Sequence, residues 1–402
     1  MKYTPSIEPA NYESILFTDL YKLTMCWAVL KCFPNVKVKY TFNDRNNTVY
    51  PKGFDVELRR VIDGFRNRTL SKQRKKEFAE KCPFLPMAFI DFLEVYRFDP
   101  SEVGVIQDDE GHLILTISGY WYRTILWEVP LMAAICDLFY KMTNQVIDVD
   151  ADTITEIHRK KASQFRMNSI PFAEFGTRRA YSPRNHENVV KTFVDYAEDT
   201  LLGTSNVELA CAYGIKAIGT FAHEWVSAHA AMFGYSHPNR HAMQSWVSVY
   251  NGNLGIALPD TFTTDAFLVD FDSMFANLFT GTRHDSGDPL VYMDKMIAHY
   301  KKLGIDPTTK TITYSDGMNW EEVEKVMAYR VGEIRRGPAI GTWFTNDLPD
   351  IKPMNIVIKL TECDGLPAVK ISDNPIKAIG DKKTIEFAMW QVGQQIDAYT
   401  KK

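Results

Sequence analysis

The chain has 402 residues, a formal net charge of −4, 45% apolar residues and 24% charged residues. This balance is typical of a globular protein and argues against a general nucleic-acid binder, which would carry a basic excess, although it allows a local cationic pocket for a small anion. The absence of a signal-type apolar segment, of a run of about 20 apolar residues and of a CxxC pair among the six cysteines predicts a cytoplasmic protein with reduced thiols.

The first 150 residues mix helical and strand patterns. Apolar residues at helical spacing predict an amphipathic helix over 13–31, and the alternating stretch "VKVKYTF" predicts a half-exposed, antiparallel strand. Helices are predicted over 54–66 and 71–97, and "HLILTISG" predicts another strand. We therefore predict an α+β module over residues 1–150, with a sheet that has one solvent-exposed face.

From about residue 150 the pattern becomes strand, polar loop and helix, repeated. The strand candidates are short and apolar without alternation, which is typical of a parallel sheet covered on both faces. Five or more such units favour an irregular α/β (TIM-like) barrel over residues 151–345, and neither a GxGxxG nor a Walker A sequence supports a dinucleotide or P-loop fold. The candidates are "PFAEFG", "IKAIGTF", "LGIALPD", "TITYSDG" and "PAIGTWF".

The last segment, residues 346–402, has a different character. Two strand patterns flank Asp364 and Gly365, a dipeptide typical of a β-hairpin turn. Because two strands alone would be marginally stable, we predict that this C-terminal hairpin and the helix after it return to the N-terminal domain.

Polar loops follow the predicted barrel strands, and in an α/β barrel such loops form the site at the carboxyl ends of the strands. Glycine beside Ser or Thr recurs in them and offers backbone N–H groups suited to phosphate. Arginines can pair with anions, and carboxylates can accept from sugar hydroxyls or bind magnesium together with phosphates. A ligand with phosphate, carboxylate and ribose groups would use Arg178, Arg179, Arg283, Asp260, Asp285, Asp288 and Asp316.

The stretch "GTFAHEWVSAHAAM" places His223 at the start of a predicted helix. A zinc-binding HExxH helix needs its second histidine four residues on, but Ser227 stands there and His229 lies at i+6, on a different face. The zinc interpretation therefore fails. A histidine at a helix start on the barrel rim can act as an acid, a base or a nucleophile, and a structural role stays equally open.

The motifs in their order resemble one family, nicotinate phosphoribosyltransferase. They run from about residue 14 to residue 375 and include "ILFTDLYKLTM", "EFGTRRAYS", "LLGTSNV", "IGTFAHEW", "LPDTFTTDAFL", "GTRHDSGDP", "YSDGMN", "AIGTWFT" and "KPMNIVIKL". The resemblance implies synthesis of nicotinate mononucleotide and pyrophosphate from nicotinate and phosphoribosyl pyrophosphate in NAD biosynthesis. It also implies an N-terminal α/β sandwich domain over residues 1–150 and an irregular α/β (TIM-like) barrel over residues 151–345. Coupling to ATP hydrolysis, a need for Mg2+ and a homodimer with shared active sites are implied as well.

The resemblance implies a catalytic role for four residues. His223 matches the histidine that ATP phosphorylates, and Asp260 matches an acidic residue near it. Arg283 matches a substrate-binding arginine, and Asp285 matches the residue at the ribose hydroxyls. No metal ligand is assigned, since magnesium would be carried by the substrate phosphates.

Further positions match the substrate pocket. Tyr21 and Phe175 match the aromatic pair around the pyridine ring, with Tyr21 lent by the other subunit, and Arg178 next to Thr177 faces substrate phosphate. Ser205 stands where related nicotinamide-using enzymes carry Asp, which favours the acid substrate. The loops that cradle the 5′-phosphate match Ser315, Asp316, Gly317, Gly341 and Thr342. The family's Gly-Ile-Gly-Thr is altered in its first residue to Ala339, and Lys359 and Lys370 stay unassigned anion contacts.

Two alternatives accompany this interpretation. The first is an enzyme of the same mechanism that uses nicotinamide or quinolinate. Ser205 argues against nicotinamide as the substrate. The second is a non-catalytic barrel that binds nucleotides or regulates a partner. Such a protein would not need His223, Arg283 and Asp285 together.

Overall fold

The computed structural model describes residues 5–401, which separate into two compact units. Unit 1 takes the chain up to Trp27, then Tyr40–Gly219 and Ile340–Lys359. Unit 2 takes Ala28–Lys39, Thr220–Ala339 and the chain from Leu360. We describe each unit separately.

Unit 1 contains most of the N-terminal half of the chain. Four of its strands, β10, β1, β3 and β2, are neighbours in that order in one sheet, and β2 and β3 are antiparallel from Val103↔Ile117 to Gln107↔Leu113. Its elements, of which α1, β1 and β10 also have residues in unit 2, are α1 (Leu20–Cys32), β1 (Lys37–Asp44), α2 (Phe54–Gly64), α3 (Lys72–Lys81), α4 (Met87–Val95), β2 (Val103–Gln107), β3 (Leu113–Tyr120), α5 (Trp121–Thr124), α6 (Glu128–Met142), α7 (Asp152–Met167), β4 (Phe172–Glu174), α8 (Pro183–Ala197), β5 (Leu201–Thr204), α9 (Val207–Ala212), α16 (Thr342–Thr345) and β10 (Ile356–Cys363).

The alternating stretch around residue 40 forms the predicted strand. In β1, Val38, Tyr40 and Phe42 are buried, whereas Lys37 and Lys39 are exposed. A strand whose side chains alternate in this way covers a core with one face and meets solvent with the other. The prediction of a half-exposed strand is confirmed.

Two helix predictions were wrong in their bounds. The helix predicted over 13–31 begins only at Leu20, because the preceding polar residues Ser14 and Asp19 form isolated β-bridges instead. The helix predicted over 71–97 is two helices, α3 and α4. Pro83 and Pro86 lie between them, and proline cannot donate the backbone bond that a continuous helix needs.

Unit 2 contains a parallel sheet of β6, β7, β8 and β9 in that order. The registers include Ile256↔Gly281, Gly281↔Thr311 and Thr311↔Arg335. Its remaining elements, after the end of α1, are α10 (His223–Phe233), α11 (Pro238–Tyr250), β6 (Ile256–Ala257), α12 (Thr264–Asp270), α13 (Ser273–Leu278), β7 (Gly281–His284), α14 (Pro289–Lys302), β8 (Thr311–Tyr314), α15 (Trp320–Ala328), β9 (Arg335–Ile340), β11 (Leu366–Pro367) and α17 (Lys382–Thr400).

The mixed α/β class with parallel strands is confirmed in both units. In unit 1, β4 and β5 are parallel, with Phe172 opposite Leu201. The segment "IKAIGTF" is an exception to the strand predictions, because it contributes only an isolated parallel bridge between Thr204 and Ala217. Leu201 begins β5.

The C-terminal hairpin forms around Asp364 and Gly365. β10 and β11 are antiparallel, with Glu362↔Pro367 and Cys363↔Leu366, and both turn residues have positive φ. Residues 346–359 belong to unit 1 and residues from Leu360 belong to unit 2. The predicted domain boundaries at residues 150 and 345 stay a prediction.

None of the helices within residues 5–401 combines the length and the apolar character that a membrane span requires.

Candidate active site

Three loops of unit 2 bring His223 and its neighbours together. Helix α10 begins at His223, which confirms the predicted helix start, while Asp260 follows β6 and Asp285 follows β7 directly. Because β6 and β7 are parallel, their carboxyl ends lie at the same edge of the sheet. Loops after neighbouring parallel strands therefore converge there.

The imidazole of His223 lies among two carboxylates and one ammonium group. Its Nε2 is 2.9 Å from Asp260 Oδ1, 3.6 Å from Asp285 Oδ2 and 2.9 Å from Lys370 Nζ. Lys370 Nζ also donates to Asp260 Oδ2 at 3.0 Å, and Ser286 Oγ donates to the same oxygen at 2.7 Å. His223 is 7% exposed and Asp260 is 2% exposed, so little water reaches these bonds. We call these five residues the His223 cluster.

Burial and neighbouring charges set the protonation states in this cluster. Burial, reinforced by Lys370, lowers the pKa of His223 to about 4, so the imidazole is neutral near pH 7. Burial alone would raise the pKa of Asp260, but His223 and Lys370 hold it well below its usual range. The pKa of Asp285 is lowered in the same way, because Arg283 and His223 outweigh the effect of burial. A neutral imidazole thus faces two ionised carboxylates.

A second set of bonds joins the loops after β7 and β8. Arg283 donates from Nε to Ser315 Oγ at 2.6 Å and from Nη2 to Asp285 Oδ1 at 3.0 Å. Ser315 Oγ lies 2.8 Å from that same carboxylate oxygen. Lys377 Nζ donates to the Asp285 carbonyl at 2.9 Å and to Asp316 Oδ1 at 2.5 Å. These loops therefore present two basic side chains beside two acidic ones.

A divalent cation could use part of the His223 cluster. Ligand atoms of His223, Asp260 and Asp285 lie within 4.8 Å of one another. Lys370 already donates to Asp260 and lies against His223 Nε2, so it competes for those two positions. Asp285 Oδ2 is the better-suited oxygen, and Mg2+ commonly binds through one or two carboxylates plus substrate phosphates. The residues fit a magnesium ion held mainly by phosphates.

In unit 1, Ser205 is buried and donates from Oγ to Asp19 Oδ1 at 2.7 Å. Burial raises the pKa of Asp19, and Arg178, Ser205 and Thr177 oppose this shift. The sequence-based preference for nicotinate depended on Ser205 alone, but the structure places the Asp19 carboxyl group against the Ser205 hydroxyl. A preference for nicotinate therefore depends on the protonation of Asp19 as well as on Ser205.

Glu174 at the end of β4 anchors the loop that carries Phe175. Its carboxylate accepts from the backbone N–H of Gly176 and from Thr204 Oγ1, the latter at 2.5 Å, and it lies 2.9 Å from His186 Nε2. Both Glu174 and His186 are fully buried. The backbone that positions Phe175 and the two residues after Gly176 is thus fixed by a buried carboxylate.

Gly341 packs against this same loop. A Cβ atom at Gly341 would lie 3.0 Å from the carbonyl oxygen of Phe175, and the Phe175 N–H donates to the Ile340 carbonyl at 2.7 Å. A side chain here would push the Phe175 carbonyl by a few tenths of an ångström, so the close approach of the two backbones favours glycine. Thr342 begins the short helix α16 directly after it.

Basic side chains surround Glu128 in unit 1. Lys22 forms a buried ion pair with Glu128, and Arg178 Nη1 lies 3.6 Å from the same carboxylate. Burial opposes ionisation, but Lys22, Lys359 and Arg178 together lower the pKa of Glu128 to about 2. Three cations beside one carboxylate leave a positive local charge suited to an anionic ligand.

Tyr21 lies close to this group. Its side chain is 4% exposed, and the guanidinium carbon of Arg178 is 5.9 Å from the ring centroid in the same chain. Phe175 is half-buried. Tyr21 therefore lies beside Arg178 of its own chain. For Tyr21 to reach the site of a partner subunit, this buried ring would have to become exposed.

The predicted residues thus form two groups, one in each unit. Unit 2 holds His223, Asp260, Arg283, Asp285, Ser315, Asp316 and Gly317. Unit 1 holds Tyr21, Phe175, Thr177, Arg178, Ser205, Gly341 and Thr342.

Other predicted polar residues have structural partners. Asp288 accepts from the N–H groups of Leu290 and Val291 and caps α14, and Arg179 Nε donates to the Ile356 carbonyl.

Several residues of these groups were not identified from the sequence. Lys370 was named without a role, although it contacts His223. Asp19 and Lys22 flank Leu20 and Tyr21 in "TDLYKLTM", and that adjacency was the available signal. Ser286 follows Asp285 in "GTRHDSGDP" and Glu174 precedes Phe175 in "EFGTRRAYS", so the same adjacency was available for them. Lys377 and Glu128 offered no signal, since short-range patterns do not report contacts between distant segments.

Comparisons with known proteins point to one family. The model of the nicotinate phosphoribosyltransferase (NAPRTase) family matches residues 170–392, and that of its N-terminal domain matches residues 16–136. The chain is 46% identical to a nicotinate phosphoribosyltransferase of Chromohalobacter salexigens, over 94% of this chain and 97% of the relative.

Solved structures agree with this assignment. The nicotinate phosphoribosyltransferase of Porphyromonas gingivalis superposes with a TM-score of 0.92 at 37% identity, covering 94% of this chain and 99% of that one. That of Vibrio cholerae gives 0.90 at 30% identity, covering 99% and 98%. The chain therefore belongs to the nicotinate phosphoribosyltransferase family.

Proposed function

We propose that this protein forms nicotinate mononucleotide and pyrophosphate from nicotinate and phosphoribosyl pyrophosphate in NAD biosynthesis, with ATP hydrolysis coupled through phosphorylation of His223. The observation that carries the proposal is the neutral, buried imidazole held between Asp260 and Lys370 at the start of α10. Family membership supports the transfer reaction, and this geometry supports the coupling.

The transfer step needs orientation more than a strong base. Displacement of pyrophosphate from C1 of the ribose passes through an oxocarbenium-like state, in which the leaving charge must be stabilised. Arg283, fixed by Ser315 and Asp285, supplies a positioned cation for an anionic substrate group. In unit 1, Arg178 and Lys22 supply positive charge, and Tyr21 with Phe175 supplies aromatic walls for the pyridine ring.

The His223 cluster is suited to accept a phosphoryl group. His223 Nε2 lies 2.9 Å from both Asp260 Oδ1, which can only accept, and Lys370 Nζ, which can only donate. The phosphoryl transfer that we propose uses the tautomer in which Nε2 donates to Asp260. The lone pair is then on Nδ1, which is the attacking nitrogen. Lys370 retains Asp260 Oδ2 as its acceptor and adds positive charge on the Nε2 side of the imidazole. The N-terminus of α10 adds backbone N–H groups that favour bound phosphate.

Several finer expectations belong to this proposal. Magnesium, held by the substrate phosphates and Asp285 Oδ2, would neutralise charge on the phosphates. We propose that the parallel strands belong to an irregular TIM-like barrel beside an α/β sandwich, that the protein is a homodimer with shared sites, and that it acts in the cytoplasm. The parallel pairing of β6 with β7, β7 with β8 and β8 with β9 supports the barrel, and the family resemblance supports the dimer.

Product analysis tests the transfer reaction. The protein is mixed with phosphoribosyl pyrophosphate, ATP, magnesium and equal amounts of nicotinate, nicotinamide and quinolinate, and the nucleotides are identified by mass spectrometry. We expect nicotinate mononucleotide as the main product. A different mononucleotide would assign another pyridine, and no product at all would leave a nucleotide-binding protein.

Labelling with γ-labelled ATP tests the coupling. Wild type should acquire an acid-labile, base-stable label on the peptide containing residues 219–232, and His223→Ala should lose this label together with ATP stimulation. His241→Ala, a half-buried histidine on α11, serves as the control and should label normally. A label that persists in His223→Ala, or turnover of ATP without any labelled intermediate, contradicts the phosphohistidine mechanism.

A further inference from the structure

Residues 341–347 of unit 1 contain α16 and the predicted phosphate contacts Gly341 and Thr342. We call this segment the 341–347 loop. Residues 341–343 are half-buried, whereas residues 344–346 are buried. The first part of the loop is therefore accessible to a ligand, and the later part anchors the loop in unit 1.

Lys161 on α7 binds this loop at two points. Its Nζ donates to the Trp343 carbonyl at 2.5 Å and to Asp347 Oδ2 at 2.9 Å. The same Nζ lies 4.8 Å from the centroid of the Trp343 ring, which is within the range of a cation–π contact. One ammonium group thus contacts the backbone and the ring of the residue after Thr342, as well as the end of the loop.

The burial of Lys161 calls for an explanation beyond fold stability. Lys161 is 6% exposed, and burial lowers its pKa while Asp347 opposes this shift. A buried ammonium group costs free energy even when it is paired, and an apolar side chain of similar volume is often as stable or more so. The Asp347 side chain is 56% exposed, so water screens its share of the ion pair. The bond to the Trp343 carbonyl is the contact that an apolar residue could not replace.

Neutral side chains hold the buried part of the loop. Asn185 Nδ2 donates to the Thr345 carbonyl at 2.8 Å, and His158 Nε2 lies 3.0 Å from Asn185 Oδ1. Burial lowers the pKa of His158 to about 4, so a neutral imidazole donates to the amide oxygen near pH 7. These bonds fix residue 345, and Lys161 fixes residue 343, which is nearer to the phosphate contacts.

Resting on the proposed binding of phosphoribosyl pyrophosphate, we propose that Lys161 is a positioning residue for the 5′-phosphate site. Its ammonium group holds the Trp343 carbonyl, and the N–H groups of Gly341 and Thr342 thereby keep one orientation for the phosphate. A loop that is already ordered loses little conformational freedom when the ligand binds. Lys161 itself does not contact the substrate, because its donors are used by Trp343 and Asp347.

Two ligands that differ by one phosphate group test this role. Calorimetry measures the binding of nicotinate mononucleotide and of nicotinate riboside, which lacks the 5′-phosphate. Lys161→Met keeps an unbranched side chain but removes the donor. We expect this variant to bind the mononucleotide about tenfold more weakly and the riboside with less than about a twofold change, because only the phosphate contacts lose their orientation. In steady-state assays the KM for phosphoribosyl pyrophosphate should rise, with kcat changed less than about threefold.

The controls separate the carbonyl bond from the general loss of a lysine. Lys81→Met is the matched control and should bind both ligands like wild type, because Lys81 also donates to a backbone carbonyl of unit 1, that of Ile215, at 2.9 Å. Hydrogen exchange of peptides covering residues 341–347 should be faster in Lys161→Met than in wild type and unchanged in Lys81→Met. If Lys161→Met does not fold, Lys161→Gln, whose shorter side chain cannot reach both oxygens, gives the same comparison.

Thr342→Glu places a negative charge at the predicted phosphate contact and tests that contact separately. If wild type binds both ligands equally, or Thr342→Glu retains the affinity for the mononucleotide, the phosphate contacts of the proposed function are wrong. If Thr342→Glu loses this affinity but folded Lys161→Met retains it, those contacts stand and Lys161 does not position them. An equal loss of affinity for both ligands in Lys161→Met would also refute the positioning role.

Discussion

Arg283→Ala should strongly impair nicotinate use while the fold survives. The guanidinium is 16% exposed and makes two bonds, at 2.6 Å to Ser315 Oγ and at 3.0 Å to Asp285 Oδ1. Loss of a hydrogen bond to a charged group costs about 1.5–3 kcal/mol. Since about 1.4 kcal/mol corresponds to a factor of ten, kcat/KM for nicotinate should fall roughly 10- to 150-fold if one such bond to substrate is lost.

The assay is steady-state formation of nicotinate mononucleotide at saturating ATP and phosphoribosyl pyrophosphate. Arg283→Lys should recover only part of the loss, because an ammonium group cannot reproduce both bonds of the guanidinium. Arg240→Ala is the matched control, since Arg240 also pairs with one aspartate of unit 2, Asp272, at 3.0 Å. Thermal unfolding monitors the fold. If folded Arg283→Ala retains kcat/KM within twofold of wild type, Arg283 does not contact substrate and the reasoning fails.

Four further predictions concern charge and subunit sharing. Burial lowers the pKa of His223 to about 4, so the imidazole is neutral at both pH 7.5 and pH 5.5. The initial rate of His223 labelling at saturating ATP should therefore change less than twofold between these pH values. The labelling rate of an ordinary histidine, with a pKa of about 6.5, would fall about tenfold. Because the unfolded chain binds this proton and the folded chain does not, the contribution of His223 to stability falls as pH drops from about 6.5 to 4, which urea unfolding at several pH values measures. Ser205→Asp should lower kcat/KM for nicotinate at least tenfold, because the new carboxyl group would lie against that of Asp19. An unchanged ratio of nicotinate use to nicotinamide use would contradict a role of position 205 in selectivity. Mixed dimers of Tyr21→Ala and Phe175→Ala subunits should regain one intact ring site if Tyr21 is lent across the interface; no recovery in verified heterodimers would assign the buried Tyr21 to its own chain.

Local patterns in the sequence determined much of the fold. The alternation around Tyr40 predicted a half-exposed strand, because successive side chains of a strand point to opposite faces. Unalternating apolar segments predicted parallel strands, and β6 to β9 are parallel. The start of α10 at His223 could also be predicted, because the helical spacing of apolar residues begins there.

The sequence predicted the first and last residues of helices and strands less well than their type. Residues 13–19 share the apolar spacing of α1, yet Ser14 and Asp19 form bridges to distant residues, and this competition is invisible in the local sequence. Pro83 and Pro86 indicate the break between α3 and α4, and the single helix predicted over 71–97 did not take them into account. The segment "IKAIGTF" had a strand composition and formed only one bridge, because strand formation requires a neighbour to pair with.

The residue types of the candidate site could be predicted from the motifs, but their partners could not. The sequence indicated His223 and Asp260, whereas only the tertiary structure placed Lys370 against both, across 147 and 110 residues of chain. Similarly, the sequence shows a serine at position 205 where related nicotinamide-using enzymes carry Asp. Only the fold brings Asp19 against Ser205, across 186 residues of chain. The pKa of a buried group depends on how many charges face it and how far it lies from water. Both quantities are set by packing between distant segments, so the neutral state of His223 and the ionised states of its neighbours were decided by the tertiary structure alone.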